Sequence, residues 1–145
     1  MKLVALKDAY KDQALTKGLI NVKTFKFDNL SDINDPNKEK RIFLMNPPNS
    51  VRLTEDAQNE DENVYAISFF LFDLIGDTEG EGMADLWESI EDDVTAINKG
   101  IVNDNTDIIE ITSDIQMDRG HHEHNADLIG IWCRYSLRVF DCLNP

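Results

Sequence analysis

Residues 64–75 read VYAISFFLFDLI, and how this stretch is read decides the fold. A strand with one wet face alternates apolar and polar residues, and an amphipathic helix repeats its apolar residues every three to four positions. Here Val64 to Phe72 is apolar on both faces, and aromatic and β-branched side chains dominate. That is the pattern of a central strand covered on both sides. Asp73 closes the run well short of the roughly 20 apolar residues that a membrane-spanning helix needs.

The segments around it supply the covers. Toward the C-terminus, Ile129, Ile131, Cys133, Tyr135, Leu137 and Val139 alternate with Trp132, Arg134, Ser136 and Arg138, which predicts a second long strand with one apolar face. Residues 83–101 carry Met83, Leu86, Trp87, Ile90, Val94, Ile97 and Ile101 at spacings of three and four, the mark of a long amphipathic helix. Its other face holds Glu88, Glu91, Asp92 and Asp93. At the N-terminus, Leu3, Leu6, Tyr10 and Ala14 predict a helix over 2–17, with Gly18 as its stop.

Shorter elements fill the rest. LINVKTFKFDNL (19–30) mixes apolar residues with lysines, as an edge strand does. SDINDPNKEK (31–40) is turn chemistry, and RIFLMNPPNS (41–50) is a short strand stopped by Pro47 and Pro48. TEDAQNEDEN (54–63) is predicted to be a mobile acidic loop. IIEITSDIQM (108–117) reads as one strand or two short ones, broken near Ser113. The order is helix, two strands, strand, helix, two strands. The class is α+β in one domain spanning 1–145: a mainly antiparallel sheet of about four to five strands, packed by an N-terminal helix and one long amphipathic helix.

Charge narrows the function. The chain has 28 acidic and 14 basic residues, net −14. Residues 1–50 hold nine Lys/Arg and six Asp/Glu, so +3, while 51–145 hold five and 22, so −17. Such a surplus opposes binding to DNA phosphates or anionic lipid. The opening MKLVALKDAY has too short an apolar stretch for a signal peptide. Cys133 and Cys142 lie nine apart, roughly 30 Å along one extended segment, which predicts two free thiols rather than a bridge.

Candidate chemistry is sparse. HHEH (121–124) gathers all three histidines, and on an extended backbone His122 and His124 point the same way, as weak candidate zinc ligands. No histidine elsewhere supplies a ligand from a second segment, and the His-Glu-x-x-His spacing is missing, so the cluster reads as the loop joining two strands. Carboxylates at Asp73 and Asp77 and at Glu91, Asp92 and Asp93 read as solvated surface in a chain this acidic. No phosphate-binding glycine loop occurs, and no histidine is placed to activate a cysteine. Trp132 with Arg134 and Arg138 forms either a partner-binding stripe or a face covered by a helix. Trp87, at the border of its helix, is a further candidate contact with a neighbouring subunit.

The succession resembles the small tail-terminator and neck-ring (head–tail connector) proteins of tailed bacteriophages, in particular those of Bacteroidetes-type phages. The resemblance runs from residue 40 to the end, through RIFLMNPP, YAISFFLFDLI, MADLWESIEDDVTAINKGI and NADLIGIWCRYSLRVFDCLNP. It implies a structural virion protein, not an enzyme, with no cofactor and no catalytic residue. Such proteins form rings, commonly of about six or twelve copies. They contact other neck, portal or tail proteins and let DNA pass through the lumen, with no membrane partner. Two other classes stand beside this one. The first is an acidic DNA mimic that occupies a basic groove on a nuclease or repressor, which requires charge on an ordered, rod-like face. The second is a small metal-dependent hydrolase using the histidine cluster.

Overall fold

The computed structural model describes residues 2–19, 21–24, 41–53, 62–75, 79–104, 109–121 and 128–140. Two strands of thirteen residues, β4 (Glu62–Leu74) and β7 (Leu128–Phe140), pair antiparallel along their whole length. Every other strand is shorter and lies against one of these two or at the sheet edge. On the outer side of β4 lie β2 (Ile42–Met45), opposite Phe69 to Phe72, and β3 (Asn49–Leu53), opposite Asn63 to Ala66. These are successive pieces of one edge, separated by Asn46, Pro47 and Pro48. Proline has no N–H to give a ladder, so the pairing breaks there and resumes beyond.

The outer side of β7 repeats this plan. There β5 (Ile109–Ile111) pairs with Leu137 to Val139, and β6 (Gln116–His121) pairs with Ile129 to Arg134. At the break, the Thr112 N–H donates to the Ser136 carbonyl at 2.9 Å, and Ser113 Oγ accepts the Ser136 N–H at 2.7 Å. Last, β1 (Asn21–Thr24) adds parallel to β2 as an edge. The seven strands thus fill five positions across an α+β sheet, and all described pairings except β1 with β2 are antiparallel.

Both described helices lie on one face. The first, α1 (Lys2–Thr16), turns inward Leu6, Tyr10 and Ala14, each at most 2% exposed. It ends at Gly18, whose φ of +78° is readily adopted only without a Cβ. The second, α2 (Glu81–Asp104), buries Ile90, Val94, Ile97 and Ile101 against the sheet, with Met83, Leu86 and Trp87 half-buried at its start. Beneath the helices, Tyr65, Ile67, Phe69 and Leu71 of β4 join Ile129 to Val139 of β7, every second residue, in one core. A hydrogen-bond chain is threaded through it. The Tyr135 hydroxyl donates to Asn98 Oδ1 at 2.9 Å and accepts from the Tyr10 hydroxyl. Asn98 Nδ2 in turn donates to Cys133 Sγ at 3.4 Å. One chain of polar groups therefore joins α1, α2 and β7 inside an apolar core, and a pairing this specific fixes how the helices sit.

An ion cluster ties the opposite end. Arg41 reaches Asp73 at the end of β4 at 2.9 Å and Asp93 of α2 at 2.7 Å. No helix of the described residues is long and apolar enough to cross a membrane.

Three expectations need correction. The chain re-enters the sheet after Pro48 as β3, where the sequence predicted an end to pairing. The central strand starts at Glu62, so Glu62 and Asn63 are strand rather than acidic loop, and residues 54–61 of that loop lie outside the described residues. His121 is likewise strand, closing β6 opposite Ile129. In each case the long neighbouring strand offers free N–H and C=O groups, and pairing with them outweighs the polar side chains.

Candidate interaction surface

The face of the sheet away from α1 and α2 is where the candidate residues gather. On β7 the side chains of Trp132, Arg134, Ser136 and Arg138 point to it, and the register sets Trp132 opposite Phe70, Arg134 opposite Ser68 and Arg138 opposite Val64. A row of flat groups results. Phe72 stacks on Phe70 at 5.3 Å with 13° between planes, Phe70 on Trp132 at 5.4 Å and 9°, and the Arg134 guanidinium lies 4.0 Å from the Trp132 ring centre. The indole N–H of Trp132 donates to Ser68 Oγ at 2.5 Å, which fixes the ring in its plane.

Gly130 makes the row possible. It sits opposite Phe72, and a Cβ there would press into the Leu71 carbonyl oxygen and lie 2.7 Å from Phe72 Cδ1. The row begins in a small apolar cluster of Ile42, Phe72 and Leu128, with Phe70 packed against it. Toward its other end the surface turns polar. Arg134 Nη2 donates to Asp118 at 2.7 Å, and Arg138 Nη1 meets Glu110 at 3.4 Å. Beside Arg134, where β5 and β6 part, a shallow cavity of about 510 Å³ is lined by Ser68, Ser113, Asp114, Gln116 and Ser136 among others.

Of the residues singled out from sequence, Trp132, Arg134 and Arg138 thus share the face turned away from α1 and α2. Neither α1 nor α2 covers them, and all three are half-buried. Trp87 is elsewhere: it is on α2 in the helix layer, with the Arg119 guanidinium 5.7 Å from its ring centre. Arg119 also pairs with Glu91 at 2.6 Å. Phe70 and Ser68 were missed, because a strand apolar on both faces gives no sign of which aromatic faces outward. Their signal was the pairing of β4 with β7, which no local pattern contains.

The histidine cluster divides. His121 is exposed at the end of β6, and His122 and His124, the candidate ligands, lie outside the described residues. Among the described residues no three His, Cys, Asp or Glu side chains group to hold a metal. Cys133 is buried with a free thiol, pushed up to about 11 by burial, and Cys142 lies outside the described residues. Burial likewise holds the hydroxyls of Tyr10 and Tyr135 well above the usual tyrosine range. Comparison with known proteins gives no match to any family model or to any curated protein.

Proposed function

We propose that this protein is a structural component of a tailed-phage virion. It forms a ring at the neck or tail end, as tail terminator or head–tail joining protein, and DNA passes through the lumen. The reading starts from the sequence resemblance. The observation that carries it further is the Phe72–Phe70–Trp132–Arg134 row on the sheet face turned away from α1 and α2. Aromatic residues and arginine dominate the centres of protein–protein contacts, where they bury large area at little entropic cost. Held on two paired thirteen-residue strands and anchored by buried Phe72, the half-buried Phe70, Trp132 and Arg134 make a rigid platform for another neck, portal or tail protein. A net charge of −14 supports the passage of DNA, since carboxylates facing a lumen repel phosphates.

The test is complementation. A phage lacking this chain is expected to yield separated heads and tails, or tails of uncontrolled length. Wild-type chain should restore joined particles, and a folded Phe70→Ala/Trp132→Ala chain should not. Normal particles without the chain would overturn the reading.

One observation favours a second reading. Glu81, Asp85, Glu88 and Asp92 are exposed and recur along one side of α2 at spacings of four, three and four. This ordered acidic line, about 16 Å long at 1.5 Å per residue, is the kind of face a DNA mimic presents. Capture of a nuclease or repressor by the purified chain, reversed by added duplex DNA, would favour the mimic over the ring.

A further inference from the structure

We propose that the groove along the first turns of α2 docks a basic amphipathic segment of a partner protein, apolar on one side and carrying lysine or arginine on the other. The groove, of about 730 Å³, runs between α2 and Arg119 of β6, in the helix layer and away from the Phe70–Trp132 row. Its two sides differ in kind. Met83 and Trp87, both half-buried, form the apolar side, and Glu81, Asp85 and Glu88, all exposed, form the acidic side. At about 3.6 residues per turn, Ala84 projects between the two. Ala84 and Gly80 thus floor the groove with nothing larger than a methyl group. A Cβ built on Gly80 would meet nothing within 4 Å, so that end is open.

Charge selects the occupant. Arg119 is the basic side chain of the lining, and it is already engaged by Glu91 at 2.6 Å and by the Trp87 ring at 5.7 Å. Among the described residues no ion pair engages Glu81, Asp85 or Glu88. An acidic or wholly apolar segment lying here would bring three carboxylates under cover without a counter-charge, which is costly. A basic amphipathic segment satisfies both sides. Its apolar residues and its lysine stems cover Met83 and Trp87, and its cations meet the three carboxylates. The Trp87 ring already takes one guanidinium, so it offers attraction for a cation as well as apolar area. An amphipathic helix laid in an apolar groove is a recurrent mode of association, and the small floor at Gly80 and Ala84 lets its backbone come close.

The exposed side of α1 is not such a segment. There Lys11 lies between Asp8 and Asp12, both exposed, so a second copy docking through α1 would set carboxylate against carboxylate. The groove does not depend on the ring reading. It shares carboxylates with the acidic line of α2, but it differs from a DNA mimic in requiring Met83, Trp87 and an open Ala84.

The test uses the full-length chain and a fluorescein-labelled helical peptide with leucines along one face and lysines beside them. Fluorescence anisotropy should show this peptide binding roughly tenfold or more tightly than the same peptide with its lysines changed to glutamine, or with its leucines changed to serine. The combined Glu81→Gln, Asp85→Gln and Glu88→Gln variant should lose roughly tenfold in affinity. Ala84→Gln, which fills the floor at an exposed helical position without changing charge, should lose as much. Neutralising three exposed carboxylates elsewhere, with Asp8→Asn, Asp12→Asn and Asp114→Asn, should change little. Circular dichroism checks that each variant is folded. In nuclear magnetic resonance spectra the Trp87 indole N–H should shift on binding and that of Trp132 should not. Equal binding of the serine peptide, equal binding of spermine, or equal loss in the Asp8/Asp12/Asp114 variant would reduce the effect to general charge attraction and overturn the site. So would no binding, or self-association of the chain alone that Ala84→Gln abolishes, which would make the occupant a second copy.

Discussion

Tyr135→Phe removes one oxygen from the centre of the core and should cost far more than a surface hydroxyl. The Tyr135 hydroxyl donates to Asn98 Oδ1, so the proton between the two tyrosines belongs to Tyr10. Deleting the Tyr135 oxygen leaves two buried groups stranded: the Tyr10 hydroxyl without an acceptor and Asn98 Oδ1 without a donor. Each stranded group costs about 1–3 kcal/mol, so the single substitution should destabilise by about 3 kcal/mol. Tyr10→Phe strands less, because Tyr135 keeps its bond to Asn98, and about 1 kcal/mol is expected. The double variant strands only Asn98 Oδ1 and should be no worse than Tyr135→Phe alone, leaving a coupling of at least about 1 kcal/mol between the sites. Urea unfolding followed by tryptophan fluorescence measures all four corners. Strict additivity, or a Tyr135→Phe loss below about 0.5 kcal/mol, would show that the hydroxyl chain does not hold α1 and α2 to the sheet.

Other perturbations report on other parts of the fold. Ile90→Asp puts a carboxylate in the middle of the α2–sheet contact, where Ile90 is 0% exposed, and the protein should fail to fold; a soluble variant with native circular dichroism would mean that the wrong helix face is inside. Gly130→Ala should cost about 1–3 kcal/mol by overpacking and change the Trp132 emission as Phe72 and the stacked row shift, and unchanged emission and stability would contradict the close approach. Burial raises the folded thiol of Cys133 from 9.0 to about 11, and Tyr10 and Tyr135 are raised likewise. The unfolded chain therefore ionises first, and the stabilisation is complete below pH 9 and lost as pH climbs toward 11. A urea midpoint that stays flat from pH 8 to 11 would refute that.

Much of this architecture could be read locally. The two-sided run from Val64 to Phe72 marked the centre of the sheet, and the stripe from Met83 to Ile101 marked α2, because long periodic segments carry redundant signal. The split of β7 into a helix-facing row and a Trp132/Arg134/Arg138 row was legible for the same reason. What escaped was decided by the partner strand. The second short strand expected after Ser113 was there, but its extension through Asp118 to His121, exposed throughout, has no apolar alternation to betray it; it exists because β7 runs on beyond β5 and offers a free edge. β3 was hidden by the prolines before it, which end a ladder without forbidding a new one. Asn98 was invisible as a buried residue, since a lone amide between Ile97 and Lys99 reads as surface until Tyr135 and Cys133 are set against it. The Phe70–Trp132 stack, and with it the candidate surface, joins residues 62 positions apart, which no reading of either segment alone connects.

The most direct test of the neck-ring assignment is to see where the protein sits in a particle. Virions carrying a labelled copy, imaged by electron microscopy, should show the label as a single band at the junction of head and tail or at the tail end. Label spread over the capsid, or purified infectious particles without the protein, would contradict it.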